Sequence, residues 1–343
     1  MRSDHSSIDF ASNDYLGLAR CPLLKKRILT ALEESAWKNG STGSRLLTGN
    51  SSLAESLEEK IADFHGYEAG LLYNCGYMAN IGILSSAPQH NDAIFFDTHV
   101  HASMHDGIKL SSASAYPFRH NDLNHLENRL KTVGRLCKQR FICIESLYSI
   151  DGTLAPLEEI ATLSAKYGAH LIVDEAHAVG VQGPQGRGLI AEKKLSPFVF
   201  AQVVTFGKAL GTFGAIVLGS RRLKEYLINF ARSCIYTTAL PPHNLIAIRS
   251  AYERLPQLDT ERKHLQNLIL LFSHSTSAIQ PIKVQGNSRV KEIAQICQVR
   301  GFDVRAILSP TVQRGEECLR IILHAFNTKH EVQKLQRSIN ELL

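Results

Sequence analysis

The sequence predicts an α/β protein with a large, mostly parallel-sheet domain and a small C-terminal α+β domain. Three observations carry that prediction. Short apolar runs rich in β-branched residues recur from Gly70 to Leu218, helix-like or glycine-rich segments separate them, and the pattern changes at Pro241-Pro242. Strands buried on both faces of a parallel sheet read as continuous apolar runs, because helices cover both faces. The length agrees: 343 residues, divided by about 150, suggests two domains or one large domain with a smaller companion.

In chain order, the first clear helix begins near Ser51, where Leu53, Leu57, Ile61 and Phe64 share a face. Ser52 and Glu55 form a capping-box pattern and Gly66 ends the helix. Strands are expected at 70–73, 93–96, 141–144, 171–173, 203–206 and 215–218. Pro156-Leu157-Glu158-Glu159-Ile160 opens a connecting helix that Gly168 closes. Beyond Pro241-Pro242 come a long helical stretch, a strand at 282–284, a helix at about 288–300 and a strand at 319–323. The last fourteen residues place Val332, Leu335, Ile339 and Leu342 on one helical face. The expected division is a short N-terminal segment (1–40), a large domain (41–245) and a small domain (246–343), with no internal repeat.

Composition narrows the function classes. With 44% hydrophobic and 20% charged residues the chain is neither disordered nor collagen-like. Its net charge of +6 is spread out, which argues against a nucleic-acid partner and suits a phosphorylated or carboxylated ligand. The seven cysteines are odd in number and form no CxxC pair, as in reduced thiols of a cytoplasmic protein. Met1-Arg2-Ser3-Asp4-His5 has no apolar signal run, and no stretch approaches a membrane span. A cytoplasmic protein without a membrane partner is expected.

Ligands of open parallel sheets sit beyond the carboxyl ends of the strands, so polar residues there come first. The run 171–173 leads into Asp174 and His177, 203–206 into Gly207 and Lys208, and 94–96 into Asp97, His99 and His101. Alone, a strand-end Asp caps a turn and a strand-end Lys is solvated; together they match pyridoxal phosphate chemistry. That cofactor needs a lysine amine, a carboxylate at its pyridine nitrogen and a phosphate cradle at a helix N-terminus. Lys208 can supply the amine, Asp174 the carboxylate, and His177 lies close enough in sequence to reach the ring hydroxyl. Asn74-Cys75-Gly76-Tyr77 leads into a helix-like segment whose amides at Gly76 and Tyr77 can form the cradle, with Thr205 adding a hydroxyl.

At this point the chain resembles the α-oxoamine synthases, fold-type I pyridoxal phosphate enzymes with the aspartate aminotransferase-like fold, which join an amino acid to an acyl-CoA with loss of carbon dioxide. The matching motifs are Asn13-Asp14-Tyr15-Leu16-Gly17-Leu18, Gly43-Ser44-Arg45 with Thr48-Gly49, and His101-Ala102-Ser103. They continue with Val173-Asp174-Glu175-Ala176-His177, Thr205-Phe206-Gly207-Lys208, and Tyr236-Thr237-Thr238 before Pro241-Pro242. Two later segments, Ser277-Ala278-Ile279-Gln280-Pro281 with Gly286-Asn287-Ser288, and Ser309-Pro310-Thr311-Val312 with Leu319-Arg320, are similar to the branch that joins L-alanine to a pimeloyl thioester in biotin synthesis. Other branches, those of 2-amino-3-ketobutyrate CoA ligase, 5-aminolevulinate synthase and serine palmitoyltransferase, share the cofactor site.

The resemblance implies roles by motif. Lys208 holds the cofactor and then acts as base; Asp174 pairs with the pyridine nitrogen; His177 and Ser149 lie near the ring hydroxyl; His101 stacks on the ring. Gly76, Tyr77 and Thr205 hold the phosphate with Thr238 of a second subunit. Arg320 grips the amino-acid carboxylate, Thr311 touches substrate, and Asn13 and Glu145 line the site. Implied partners are L-alanine, an acyl-CoA or acyl-carrier-protein thioester, and a second copy of the chain. Members carry a longer segment, with basic residues near the acyl end, before the first motif; here twelve residues precede Asn13, with Arg2 the basic one besides His5.

Two other readings compete. His99-x-His101 with His105 and Asp97 can be read as the metal site of a hydrolase, since His-x-His at a strand end offers two ligands on one face. A scaffold without catalysis is the other, opposed by the joint presence of Lys208, Asp174, His177 and Arg320. Gly183-Pro184-Gln185-Gly186-Arg187-Gly188 reads as a surface loop rather than a dinucleotide fingerprint, because no strand leads through it into a helix. Trp37 reads as core or dimer contact, and Cys75 as packing.

Overall fold

The computed structural model describes residues 7–34, 38–273 and 275–343. Arg2, His5 and Trp37 lie outside the described residues. Two compact units form: one comprises Leu18–Tyr148 and Leu154–Gln257, the other the segment ending at Gly17, Ser149–Thr153 and Leu258–Leu343.

The larger unit is built on seven strands: β1 (Ala69–Tyr73), β2 (Ala93–Asp97), β3 (Ser114–Phe118), β4 (Arg140–Glu145), β5 (His170–Asp174), β6 (Val199–Thr205) and β7 (Ala215–Gly219). Their spatial order is β1-β7-β6-β5-β4-β2-β3. β7 runs antiparallel to both neighbours and every other pair is parallel. Six strands coincide with the expected apolar runs, and Ile94, Phe95, Ile142, Ile144, Ile172, Val203, Val204 and Ile216 within them are wholly buried. Each such side chain contributes about 1.5–3 kcal/mol by leaving water. β3 has no counterpart in the sequence reading. It is the sheet's edge, three of its five residues are exposed, and Pro117, which has no N–H to donate, interrupts its apolar character.

The helices carry their own start and stop signals. In α1 (Ser52–His65) Ser51, not Ser52, is the cap, its hydroxyl accepting from the Ala54 amide at 3.2 Å; Gly66 ends it at φ +77°. Leu57 and Ile61 are the buried part of the expected face, whereas Leu53 and Phe64 are half-buried. α2 (Gly76–Ser86) follows β1 and α3 (Ala102–Leu110) follows β2. α4 (Leu157–Tyr167) runs from Pro156 to Gly168 at φ +58°, as its proline and glycine predict. The glycine-rich loop is more than a surface feature: Gly188 is buried, and a Cβ there would stand 2.3 Å from Glu175 Oε2.

In the smaller unit β8 (Ile279–Lys283), β9 (Arg305–Ile307) and β10 (Cys318–Ile322) form an antiparallel sheet in the order β9-β10-β8. β8 starts three residues earlier than expected; Gln280 and Pro281 disguise it, and Pro281 is tolerated because β8 is an edge. α5 (Asn287–Val299) and α6 (Lys329–Asn340) complete the unit. α6 buries Val332, Leu335 and Ile339 and opens with a capping box between Thr328 and Glu331. His324 Nε2 lies 2.8 Å from the Ser12 carbonyl, and Asn327 Nδ2 donates to the Asp9 carbonyl at 3.2 Å. Those bonds hold the segment that carries Asn13. None of the seven cysteines is in a disulfide, and no described helix is long and apolar enough to cross a membrane.

Candidate active site

β1, β2, β4, β5 and β6 point the same way, so their carboxyl ends share one edge of the sheet. The order of events there is the one expected of an open parallel sheet. After β1 comes Gly76-Tyr77, after β2 His101, at the last residue of β4 and β5 Glu145 and Asp174, and after β6 Lys208.

The cradle is the N-terminus of α2. Its N-cap, Cys75, makes no side-chain cap hydrogen bond, which leaves the first-turn N–H groups available to an anion. Gly76 faces Thr205: a Cβ there would lie 3.4 Å from Thr205 Cβ and 3.5 Å from its hydroxyl, ordinary contact distances. Asn74, immediately before, donates through Nδ2 to Thr237 Oγ1 at 3.2 Å and to the Thr238 carbonyl at 3.0 Å. Thr238 is itself exposed.

Asp174 is 5% exposed and both its oxygens accept: Oδ1 from the Ala176 amide at 2.8 Å, Oδ2 from Asn80 Nδ2 at 2.7 Å. The neighbouring Glu175 faces the opposite way, as successive strand residues do. It accepts from the amides of Leu189 and Ile190 at 2.8 and 3.2 Å and from Gln202 Nε2 at 2.8 Å, and burial pushes its carboxyl up to about 7. His177 is buried within the same turn.

His101 caps α3. Its Nδ1 lies 3.2 Å from the Ser103 amide and 2.8 Å from the Ser103 hydroxyl, while the Tyr77 ring stands edge-on to it at 6.3 Å. Burial lowers the affinity of His101 for a proton; Asp174 opposes that effect, and the charges of Lys208 and His105 add to it. Lys208 is half-buried in a tight turn closed by Phe206 N to Gly214 O at 2.8 Å and Gly211 N to Lys208 O at 2.9 Å. Gly211, at φ +62°, has no room for a Cβ, which would meet Ala19 N at 2.2 Å.

In the smaller unit Arg320, on β10, donates through Nε to the Ser149 carbonyl at 2.8 Å and through a terminal nitrogen to Asn13 Oδ1 at 3.1 Å. Three residues far apart in sequence, Asn13, Ser149 and Arg320, thereby meet. Thr311 stands exposed after the Ser309–Pro310 bond, which is cis.

Asp97, His99, His101 and His105 do not come together as the metal reading requires. Asp97 is taken up by the amides of His99 and Asn121 at 2.8 Å and by His120 Nδ1 at 3.0 Å; burial raises its pKa, but these partners outweigh it and hold the carboxyl low. The His99 ring stacks on His120 at 4.0 Å, and His105 packs edge-on against Phe96. Among the described residues, Asp97, His99, His101 and His105 do not form a metal-holding group.

Sequence reasoning missed Asn80. It sits in the apolar face of α2, 1% exposed, with Nδ2 donating both to Asp174 and to Ser103 Oγ at 3.0 Å. Its Oδ1 is buried with no hydrogen-bond partner among the described residues, a situation that costs about 1–3 kcal/mol. A polar residue amid Ala79, Ile83 and Leu84 was the available signal.

The residues present fit pyridoxal phosphate. A helix N-terminus without a side-chain cap, facing Thr205, a buried carboxylate braced on both oxygens and a strand-end lysine would form its donor set. Sheet order, cradle and lysine together define the fold-type I pyridoxal phosphate class. The chain belongs to the aminotransferase class I and II family, whose pattern matches residues 6–339. It is 42% identical to an 8-amino-7-oxononanoate synthase of Emericella nidulans, with 97% of this chain and 89% of the relative covered. A crystal structure of 8-amino-7-oxononanoate synthase from Francisella tularensis superposes with a TM-score of 0.85 at 31% identity, covering 98% of each chain. A serine palmitoyltransferase from S. paucimobilis with bound PLP and myriocin superposes at 0.91 and 27% identity, covering 98% of this chain and 87% of that one.

Proposed function

We propose that the chain condenses L-alanine with pimeloyl-CoA, or the pimeloyl carrier-protein thioester, to 8-amino-7-oxononanoate, releasing CoA and carbon dioxide in biotin synthesis. What carries this reading is the meeting of Gly76-Tyr77, His101, Asp174 and Lys208 at the carboxyl ends of parallel strands, in a chain 42% identical to a synthase of that name. Pyridoxal phosphate, when bound, supplies the electron sink that makes the amino acid's α-carbon acidic. Gly76 and Tyr77 amides, with the Thr205 hydroxyl, hold its phosphate. Asp174 would accept the pyridine N–H and so keep that nitrogen protonated; His177 and Ser149 would serve the ring hydroxyl, and His101 the ring face.

Lys208 would hold the cofactor through its amine, and its Nζ would be the base that takes the α-proton of alanine. Arg320 binds the alanine carboxylate through its planar fork, pre-set by Asn13 and Ser149. Glu145 and Thr311 complete the substrate lining. A second copy of the chain lends Thr238 to the phosphate site. Leu46, Leu47, Phe213 and Tyr236 are large apolar side chains left exposed in segments flanking the motifs, which supports such a partner.

The test has two arms. Borohydride added to protein incubated with pyridoxal phosphate should fix the cofactor on Lys208, found by peptide mass; no adduct, or an adduct elsewhere, overturns the cofactor reading. CoA release with alanine, glycine and serine against acyl-CoAs of different length should be greatest with alanine and the pimeloyl donor. Turnover confined to serine with a long acyl-CoA would move the chain to serine palmitoyltransferase chemistry.

A further inference from the structure

We infer that Asn80 and Ser103 form a directional hydrogen-bond relay from Asp174 to His101, which holds His101 as the neutral tautomer with its proton on Nε2. Asn80 is then a positioning residue for both groups that face the cofactor. The inference rests on the assignment of Asp174 and His101 to the cofactor site, and adds to it a protonation state and a residue that sets it.

The direction follows from what each group can donate. An ionised carboxylate only accepts, so the Asn80 amide, 2.7 Å from Asp174 Oδ2, must turn its nitrogen toward it. Flipping the amide would set Oδ1 against Oδ2, oxygen against oxygen. The second hydrogen on Nδ2 goes to Ser103 Oγ at 3.0 Å. Ser103 thus accepts from Asn80 and has its own hydroxyl hydrogen left for His101 Nδ1, 2.8 Å away. The Ser103 amide points at the same nitrogen from 3.2 Å. A ring nitrogen that receives two donors carries no proton, and in a neutral imidazole the proton is then on Nε2.

Every member between the end groups is buried: Asn80 is 1% and Ser103 0% exposed. Burial shields these bonds from bulk solvent, and Oδ1, which has no partner among the described residues, leaves the two acceptors of Nδ2 to orient the amide. Protonating Nδ1 would set an N–H against the Ser103 amide, so the relay opposes the imidazolium. A neutral ring is the form that can lie over a protonated pyridine without like-charge repulsion.

The experiment is nitrogen-15 NMR of histidine-labelled protein, apo and loaded with pyridoxal phosphate, with His101 assigned by its loss in His101→Gln. Wild type should show a bare Nδ1 and a protonated Nε2. Asn80→Leu, close in volume, and Ser103→Ala should both average the two ring-nitrogen shifts, and Asn80→Leu should weaken cofactor binding about tenfold. Ser103→Thr, which unlike Ser103→Ala keeps the hydroxyl beside the backbone donor common to both, should retain the wild-type pattern. A proton on Nδ1 in the wild type, or an unchanged pattern in both Asn80→Leu and Ser103→Ala, overturns the relay. If borohydride still fixes cofactor on Lys208 in that case, the relay alone has failed. If the Nε2–H pattern is present but no cofactor attaches, the relay stands and the functional reading has failed.

Discussion

Asp174 and Glu175 are adjacent carboxylates at the end of β5, and their surroundings could hardly differ more. Asp174 accepts from two donors, one of them the side chain of Asn80, and stands at the edge of the sheet where the cradle and Lys208 lie. Glu175 is fully buried on the other side and accepts from three donors, the amides of Leu189 and Ile190 and the side chain of Gln202. One is braced but keeps accepting capacity for a ligand; the other spends its capacity on a loop. Within Asp174-Glu175-Ala176-His177 the chemistry and the architecture are therefore carried by neighbours.

Exchanging the two acids' properties breaks the comparison most directly. Asp174→Asn should lower kcat/KM for alanine about a thousandfold, roughly 4 kcal/mol of transition-state stabilisation, with the urea midpoint little moved. Steady-state kinetics beside a urea titration check both halves. Glu175→Ala should do the reverse, costing about 3 kcal/mol of stability because Leu189, Ile190 and Gln202 lose their acceptor in a buried place. Its folded fraction should keep turnover within about twofold of wild type. An Asp174→Asn protein that unfolds easily yet turns over normally would reverse the assignment.

The remaining effect is on pH. Glu175 rises from 4.5 to about 7 on folding because burial disfavours its charge. Between those values the folded chain keeps a proton that the unfolded chain has lost, so this group's contribution is full below 4.5 and is lost as pH rises toward about 7. Urea midpoints at several pH values across that window should fall for wild type and flatten in Glu175→Gln. Equal slopes in the two proteins would mean that another group is responsible.

Much of the larger unit was legible because a buried parallel strand needs continuous apolar residues and a helix end needs recognisable caps. β3 was not, since an edge strand with Pro117 and exposed residues lacks that signature. The cap of α1 lay one residue off because Ser51 and Ser52 are chemically equal and only the backbone at Ser51 is extended. At the site, strand-end residues such as Asp174 and Lys208 were readable from position. Asn80 was not, because an amide within an apolar helix looks like an imperfect core position until its partners are known.

Sequence by itself determined the buried parallel strands, and hence the edge where a ligand would sit, together with the types of group available there. Those follow from local patterns, since burial on both faces and glycine-opened turns leave their mark within a few residues. Only the tertiary structure decided what Glu175 holds instead and which way the Asn80 amide points. Asn80 and Asp174 are 94 residues apart in sequence and 2.7 Å apart in the fold. A hydrogen bond depends on distance and direction at that scale, and periodicity along the chain carries neither.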